Sequence, residues 1–488
     1  MNKHKEKKKI YIPLFMFLLL VLGVSVYFGV FKTSNDEETH LKKTETDEKV
    51  AANTTISYGD IYDTTGKRII TNTATLNSMF ESDLFSEDKR ENDLILTIDM
   101  ELQTAVDKII EEELLQKKSY GSTDLLDRAF VVLMDPNTGE ILTMAGKQYV
   151  RDEKTGKITF NDLASGNMTT SYTMGSVVTG ATILTGYETG AINPGQIILD
   201  APLKIKGTPL KRSWKNMGYI NDLTALKQSS NVYMFQTAIN IGEGEYRDNQ
   251  SLQINSEAFD TMRKYFHQFG LGVPTGVDLS GEIEGLKGKE TNPGYLLDFS
   301  IGQYDTYTPL QLVQYVSTIA NGGKRVQPHV LKEIRESAKD DSTLGPILEE
   351  VSPVVLNTVD MEPKWIERVQ KGFKKVMQEQ GGTGYPRFVN AEYDPAGKTG
   401  IAEAFYDGPL HKNYDEPLAT MNLSMVSYAP ANNPEVAMAV VVPWAYQGES
   451  GHSMNLDIGR KVMDKYFELK ENSKTSLSEN EKKSDIEE

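Results

Sequence analysis

The sequence predicts an α+β fold, an antiparallel sheet flanked by helices, carried behind a single N-terminal transmembrane helix. Three observations predict it. Apolar hairpin patterns stand near both ends of the folded part. Helix-patterned segments lie between them. One long uncharged apolar run comes after a lysine-rich start.

The elements are taken in chain order. Residues 1–9, MNKHKEKKK, are a basic segment expected in the cytoplasm. Residues 10–31, IYIPLFMFLLLVLGVSVYFGVF, carry no charged side chain. A bilayer core takes about 20 apolar residues as a helix, so this run suits one span. The lysines before it put the rest of the chain outside the cell membrane. A cleaved signal peptide fits less well, because the run is long and no small-x-small site comes after it. Residues 32–55 read as a polar tether and residues 471–488 as a disordered acidic tail, since both are polar and lack the apolar periodicity that would bury a core. LILTIDMELQTAVDKIIEEELL begins as a strand and turns helical, with Leu102, Val106, Ile109 and Ile110 at i, i+4, i+7 and i+8. Ala129–Gly146 is a hairpin around Asp135-Pro136-Asn137-Thr138-Gly139. Met421–Pro443 is another, punctuated by Pro430 and Asn432-Asn433-Pro434. SMNLDIGRKVMDKYFELK closes the fold as a helix.

Composition excludes several classes. The 488 residues carry a formal net charge of −17 with no basic domain, so a nucleic-acid partner is not expected. The absence of cysteine rules out disulfides, thiolate catalysis and cysteine-ligated metal sites. No metal or cofactor is called for.

Three short motifs could carry chemistry: Ser176-Val177-Val178-Thr179, Ser229-Ser230-Asn231 and Lys398-Thr399-Gly400. Singly, a serine opening a helix is usually a cap, Ser-Ser-Asn a helix start, and Lys-Thr-Gly a turn or strand end. In this order they resemble the S-x-x-K, S-x-N and K-T-G set of penicillin-binding proteins and serine β-lactamases. GDIYDTTGKRIITNT, FGLGVPTGVDLSGE and SIGQYDTYTPLQLVQYVSTIANGG are also similar to segments of that family. The chain is identified as a member of the class B penicillin-binding proteins, nearest the elongation-type transpeptidases of low-GC Gram-positive bacteria.

The resemblance implies a penicillin-binding/β-lactamase-like transpeptidase domain over residues 129–470, with residues 56–128 a truncated pedestal-like region. It implies a peptidoglycan D,D-transpeptidase acting on D-Ala-D-Ala stem peptides and acylated by β-lactams. Ser176 would be the nucleophile, and Ser229 would relay a proton to the leaving amine. Asn231 would orient the peptide, and Lys398 and Thr399, with Gly400 next in the chain, would hold its terminal carboxylate. The backbone N–H groups of Ser176 and Ala402 would form the oxyanion hole. A glycosyltransferase partner is implied too, since no polymerase domain is present.

Thr179 breaks the pattern. Position 179 shares a helix face with Ser176, where a desolvated lysine could act as general base. A threonine hydroxyl is too weak a base, and general-base help is worth roughly 10²–10⁴-fold in rate. No histidine lies in or next to the motifs, so Lys398 is the motif residue left to take over. Met174 in place of proline, Ile401 in place of threonine, Tyr58 in place of arginine and the short pedestal are further departures. The expectation is a transpeptidase with weakened catalysis. The alternative is a non-catalytic homologue serving as a cell-wall scaffold or as a binder of peptidoglycan or β-lactam.

Protease added to intact protoplasts is expected to digest the chain beyond Lys32. Complete protection of that region would reverse the expected orientation.

Overall fold

Both hairpins carry apolar residues on the two sides of each strand, which asks for cover on both faces of the sheet. The computed structural model describes residues 60–69, 92–337, 344–448 and 451–487 and joins the hairpins edge to edge. The strands are β1 (Arg128–Met134), β2 (Ile141–Arg151), β3 (Ile158–Asp162), β4 (Ala396–Phe405), β5 (Ala419–Ala429) and β6 (Val436–Tyr446). They form one six-stranded antiparallel sheet in the order β4-β5-β6-β1-β2-β3. β4, which carries Lys398-Thr399-Gly400, is therefore an edge strand with one open side.

Period-two alternation sorts the strand residues between two cores. Ala129, Val131 and Leu133 join Met438, Val440 and Val442 on one face. Phe130, Val132 and Met134 join Ala437, Ala439 and Val441 on the other. The first face is covered by α1 (Met100–Lys117) and by a helix that starts at Met454. α1 is capped by Asp99, which accepts from Glu101 N–H and Leu102 N–H, and it buries Leu102, Val106, Ile110 and Leu114. The second face is covered by α2 (Thr179–Glu188), α3 (Asp222–Gln228), α4 (Asn231–Ile241), α5 (Ala258–Gln268), α6 (Pro293–Ser300), α7 (Pro309–Ala320) and α8 (Pro363–Gln378).

α7 lies at the centre of this helical layer, and all twelve of its residues are buried. Its start, Thr308-Pro309-Leu310-Gln311, is a complete capping box: Thr308 Oγ1 accepts from Gln311 N–H, and Gln311 Oε1 accepts from Thr308 N–H. Buried amides in α7 need partners, and they find them in loops. Gln311 Nε2 donates to Val273 O and Glu284 O, and Gln314 Nε2 to Thr275 O and Val326 O.

Residues 60–69 and 92–128 pack with the rest of the described fold. Ile61–Tyr62 and Asp93–Leu96 pair with Leu331–Arg335 and Ile347–Glu350 in a four-stranded sheet, and α1 packs in the core of the main sheet. The described residues from 60 onward belong to one compact unit. The closing helix, α9 (Met454–Glu487), continues through the stretch read as a tail. That stretch has no glycine or proline to stop a helix. Tyr58, the tether and the apolar run Ile10–Phe31 lie outside the described residues. Among those described, no helix is long and apolar enough to cross a membrane.

Thr308→Ala removes the cap and leaves a buried Gln311 N–H unpaired. It is expected to cost about 1–3 kcal/mol of unfolding free energy in denaturant titration.

Candidate active site

Ser176 sits in a 3-10 turn, Gly175–Val178, and α2 begins only at Thr179. The turn is built by close backbone approach. Gly175 has φ +62°, which favours glycine. A Cβ there would collide with Ile401 O of β4. A Cβ at Gly302 would strike Gly175 O, and one at Gly400 would strike Ser424 Oγ. With all three positions bare, the turn rests directly on the edge strand. Gly175 N–H donates to Gly302 O at 3.0 Å, Tyr315 OH to Val177 O at 3.1 Å, and Ser424 Oγ to Met174 O at 2.5 Å. Ser176 is half-buried, and none of the described residues hydrogen-bonds its Oγ.

Thr179 is 2% exposed, and its Oγ1 donates to Ser176 O at 2.8 Å. The hydroxyl is committed to the backbone one turn back, a common use of threonine in helices.

The second motif straddles a break between two helices. Ser229 ends α3 in the left-handed region, φ 58° and ψ 58°, which is uncommon for a side-chain-bearing residue and costs of order 1–2 kcal/mol. Ser230 caps α4 by accepting from Tyr233 N–H at 3.0 Å, and it donates to the buried carboxylate of Asp200. Ser213 Oγ donates to the same carboxylate at 2.6 Å. Asn231 opens α4, with Nδ2 3.4 Å from Arg212 O.

The third motif meets the second. Lys398 is fully buried, and its Nζ donates to Ser229 Oγ at 3.0 Å and to Thr399 O at 2.8 Å. Burial lowers its pKa to about 7. No carboxylate among the described residues pairs with it. Thr399 Oγ1 lies 2.7 Å from Thr383 Oγ1, in the loop after α8. The pocket thus holds a hydroxyl on a rigid turn, a second hydroxyl bonded to a buried amine, and an open strand edge.

The edge register corrects one expectation. Glu403 N–H donates outward to Gln303 Oε1 at 2.8 Å. Alternation along the strand turns Ile401 N–H to the same open side and Ala402 N–H inward, toward its partner Asn422. Ile401, not Ala402, therefore offers the edge N–H that faces the Ser176 turn. Sequence reasoning also missed Thr383, Gln303 and Asp200. The QGGTG around Thr383 was a usable loop signal. Nothing local marks Asp200.

This geometry can be set beside known proteins. The penicillin binding protein transpeptidase domain matches residues 129–464. Penicillin-binding protein 2A of Bacillus subtilis is 52% identical over 405 residues, covering 83% of this chain and 56% of that protein. Penicillin-binding protein H of Bacillus subtilis is 45% identical, covering 77% of this chain and 51% of that protein. The chain thus spans about half the length of these curated relatives. The structure of penicillin-binding protein 2B from Streptococcus pneumoniae strain R6 superposes with a TM-score of 0.70 at 31% identity, covering 78% of this chain and 60% of that one.

Lys398 links stability to pH. Its folded pKa, about 7, lies below the ordinary 10.5, so between those values the unfolded chain holds a proton that the folded chain has lost. The cost of burying the amine is therefore full below about pH 7 and is relieved as pH rises toward 10.5. Any stability advantage of Lys398→Met over the parent is expected to shrink steadily from pH 7 to pH 10 in chemical denaturation. A constant difference would place the amine's pKa elsewhere.

Proposed function

The chain belongs to the penicillin-binding protein transpeptidase family, of the class B kind found in low-GC Gram-positive bacteria, and we propose that it is a D,D-transpeptidase of peptidoglycan synthesis with weakened acylation. The observation that carries this reading is the hydrogen bond from buried Lys398 to Ser229 Oγ, made beside the Ser176 turn. In the proposed reaction Ser176 Oγ attacks the carbonyl of the D-Ala-D-Ala bond. The oxyanion is held by the N–H groups of Ser176 and Ile401. Ser229 passes a proton to the leaving D-Ala amine as the C–N bond breaks. Lys398 and Thr399 hold the peptide's terminal carboxylate, and Asn231 orients its backbone. A second stem-peptide amine then attacks the acyl-serine and frees Ser176.

Thr179 limits the first step, because a neutral hydroxyl, here donating to Ser176 O, is too weak a base to take the Ser176 proton. Lys398, with its lowered pKa, is the group that remains, reaching the site through Ser229. The same back-bonded hydroxyl supports a second reading, a homologue that binds peptidoglycan or β-lactam without turnover and serves as a scaffold. In either case the chain would be anchored by residues 10–31 with its body outside the cell, and a glycosyltransferase would supply the glycan strands.

Thr179→Lys is expected to raise β-lactam acylation on the order of 10²-fold, about 2.7 kcal/mol of barrier. Ser176→Ala should abolish labelling in both backgrounds. Labelled penicillin tracked over time reads both. No gain in a folded Thr179→Lys protein would favour the scaffold.

A further inference from the structure

Next to the second motif, residues 201–220 carry five lysines and arginines and no acidic residue, in a chain of net charge −17. This stretch belongs to a hairpin whose strands, Ile198–Asp200 and Gly218–Ile220, pair antiparallel. The hairpin is fastened to the motif at three points. Asp200 accepts from Ser213 and Ser230 Oγ, Arg212 O accepts from Asn231 Nδ2, and Gln228 O accepts from Trp214 Nε1 at 2.9 Å. Trp214 is 67% exposed although its indole N–H is fixed, and Lys215 Nζ stands 4.6 Å from its ring centroid. Arg212 and Lys215 are not buried, and neither has a carboxylate within ion-pair distance among the described residues. A rigid exposed indole beside unpaired cations, next to the second motif, is a built surface for an anionic ligand with an apolar backbone.

We propose that Trp214, Arg212 and Lys215 form a subsite for the upstream part of the stem peptide, which selects peptides bearing a free carboxylate on the residue before the diamino acid. This rests on the transpeptidase reading and adds the substrate's charge to it. Continuity identifies the occupant. Asn231, which would orient the peptide, is bonded to the backbone of Arg212, so a peptide lying over Asn231 runs next onto this surface.

The test uses the full chain in detergent and two synthetic pentapeptides, L-Ala-γ-D-Glu-L-Lys-D-Ala-D-Ala with the glutamyl α-carboxylate free or amidated. Equilibrium binding is measured by calorimetry. The free-acid peptide is expected to bind about fivefold tighter than the amide. Arg212→Gln/Lys215→Gln should erase that preference, and Trp214→Ala should weaken both peptides alike. Equal binding of the two peptides, or a preference that survives the double substitution, overturns the proposal. So does equal peptide binding together with charge-dependent capture of the chain by phosphatidylglycerol vesicles, which would make the stretch a membrane-facing surface. Penicillin labelling of Ser176, run in parallel, separates the two readings. Labelling without peptide discrimination leaves the transpeptidase reading standing and removes this one. Discrimination without labelling does the reverse.

Discussion

The site depends on one contact, the seating of a 3-10 turn on the bare edge of a sheet. Gly175, Gly302 and Gly400 meet there, and each would drive a Cβ into a neighbouring atom if it had one. Their lack of side chains brings Ser176 against β4 without a spacer. Once the turn is seated, α2 must leave it in one direction, and the polar groups around it are satisfied in one way, through Ser424, Asn422 and Tyr315. The deeply buried α7 adds to this, because its tyrosine is tied to the turn and its glutamines to the backbone of residues 273–284 and Val326. Catalytic geometry and core packing are therefore the same set of constraints at this point.

Electrostatics adds a second constraint. A fully buried amine without a carboxylate partner is costly, and Lys398 tolerates it only by a lowered pKa and two neutral acceptors. Such a group gains most from an incoming anion. A substrate carboxylate would convert an unpaired buried cation into a paired one, so the energy withheld from folding is available on binding. The strained left-handed Ser229, which accepts from Lys398, belongs to the same arrangement.

Much of this was legible in the sequence, and the reasons differ by element. Both hairpins and α1 declared themselves because apolar periodicity and turn chemistry are local signals. The motifs could be assigned because their spacing carries a resemblance that single tripeptides lack. The edge N–H expected at Ala402 lies at Ile401 instead, because which N–H faces the open edge depends on register. Register is fixed by pairing with β5 across a loop, and no local pattern encodes it. Asp200 was invisible for a similar reason: its partners Ser213 and Ser230 are brought to it only by the hairpin. The stretch after residue 470 reads as a tail because it is polar and lacks apolar periodicity, yet polarity alone does not forbid a helix when the residues are good helix formers.

Thr179 shows how fold and catalysis come apart in this chain. A threonine enclosed beside Ser176 could have left an orphaned polar group. Instead the threonine is nearly fully enclosed and its hydroxyl is satisfied by Ser176 O. Nothing about the seated turn, the glycine contacts or the Lys398–Ser229 bond requires a base at this position. On the proposed reading, recognition of a D-Ala-D-Ala terminus would rest on the seated turn and the Lys398–Ser229 pair, and only proton transfer out of Ser176 would need a base at position 179, so acylation would slow by orders of magnitude before recognition was lost.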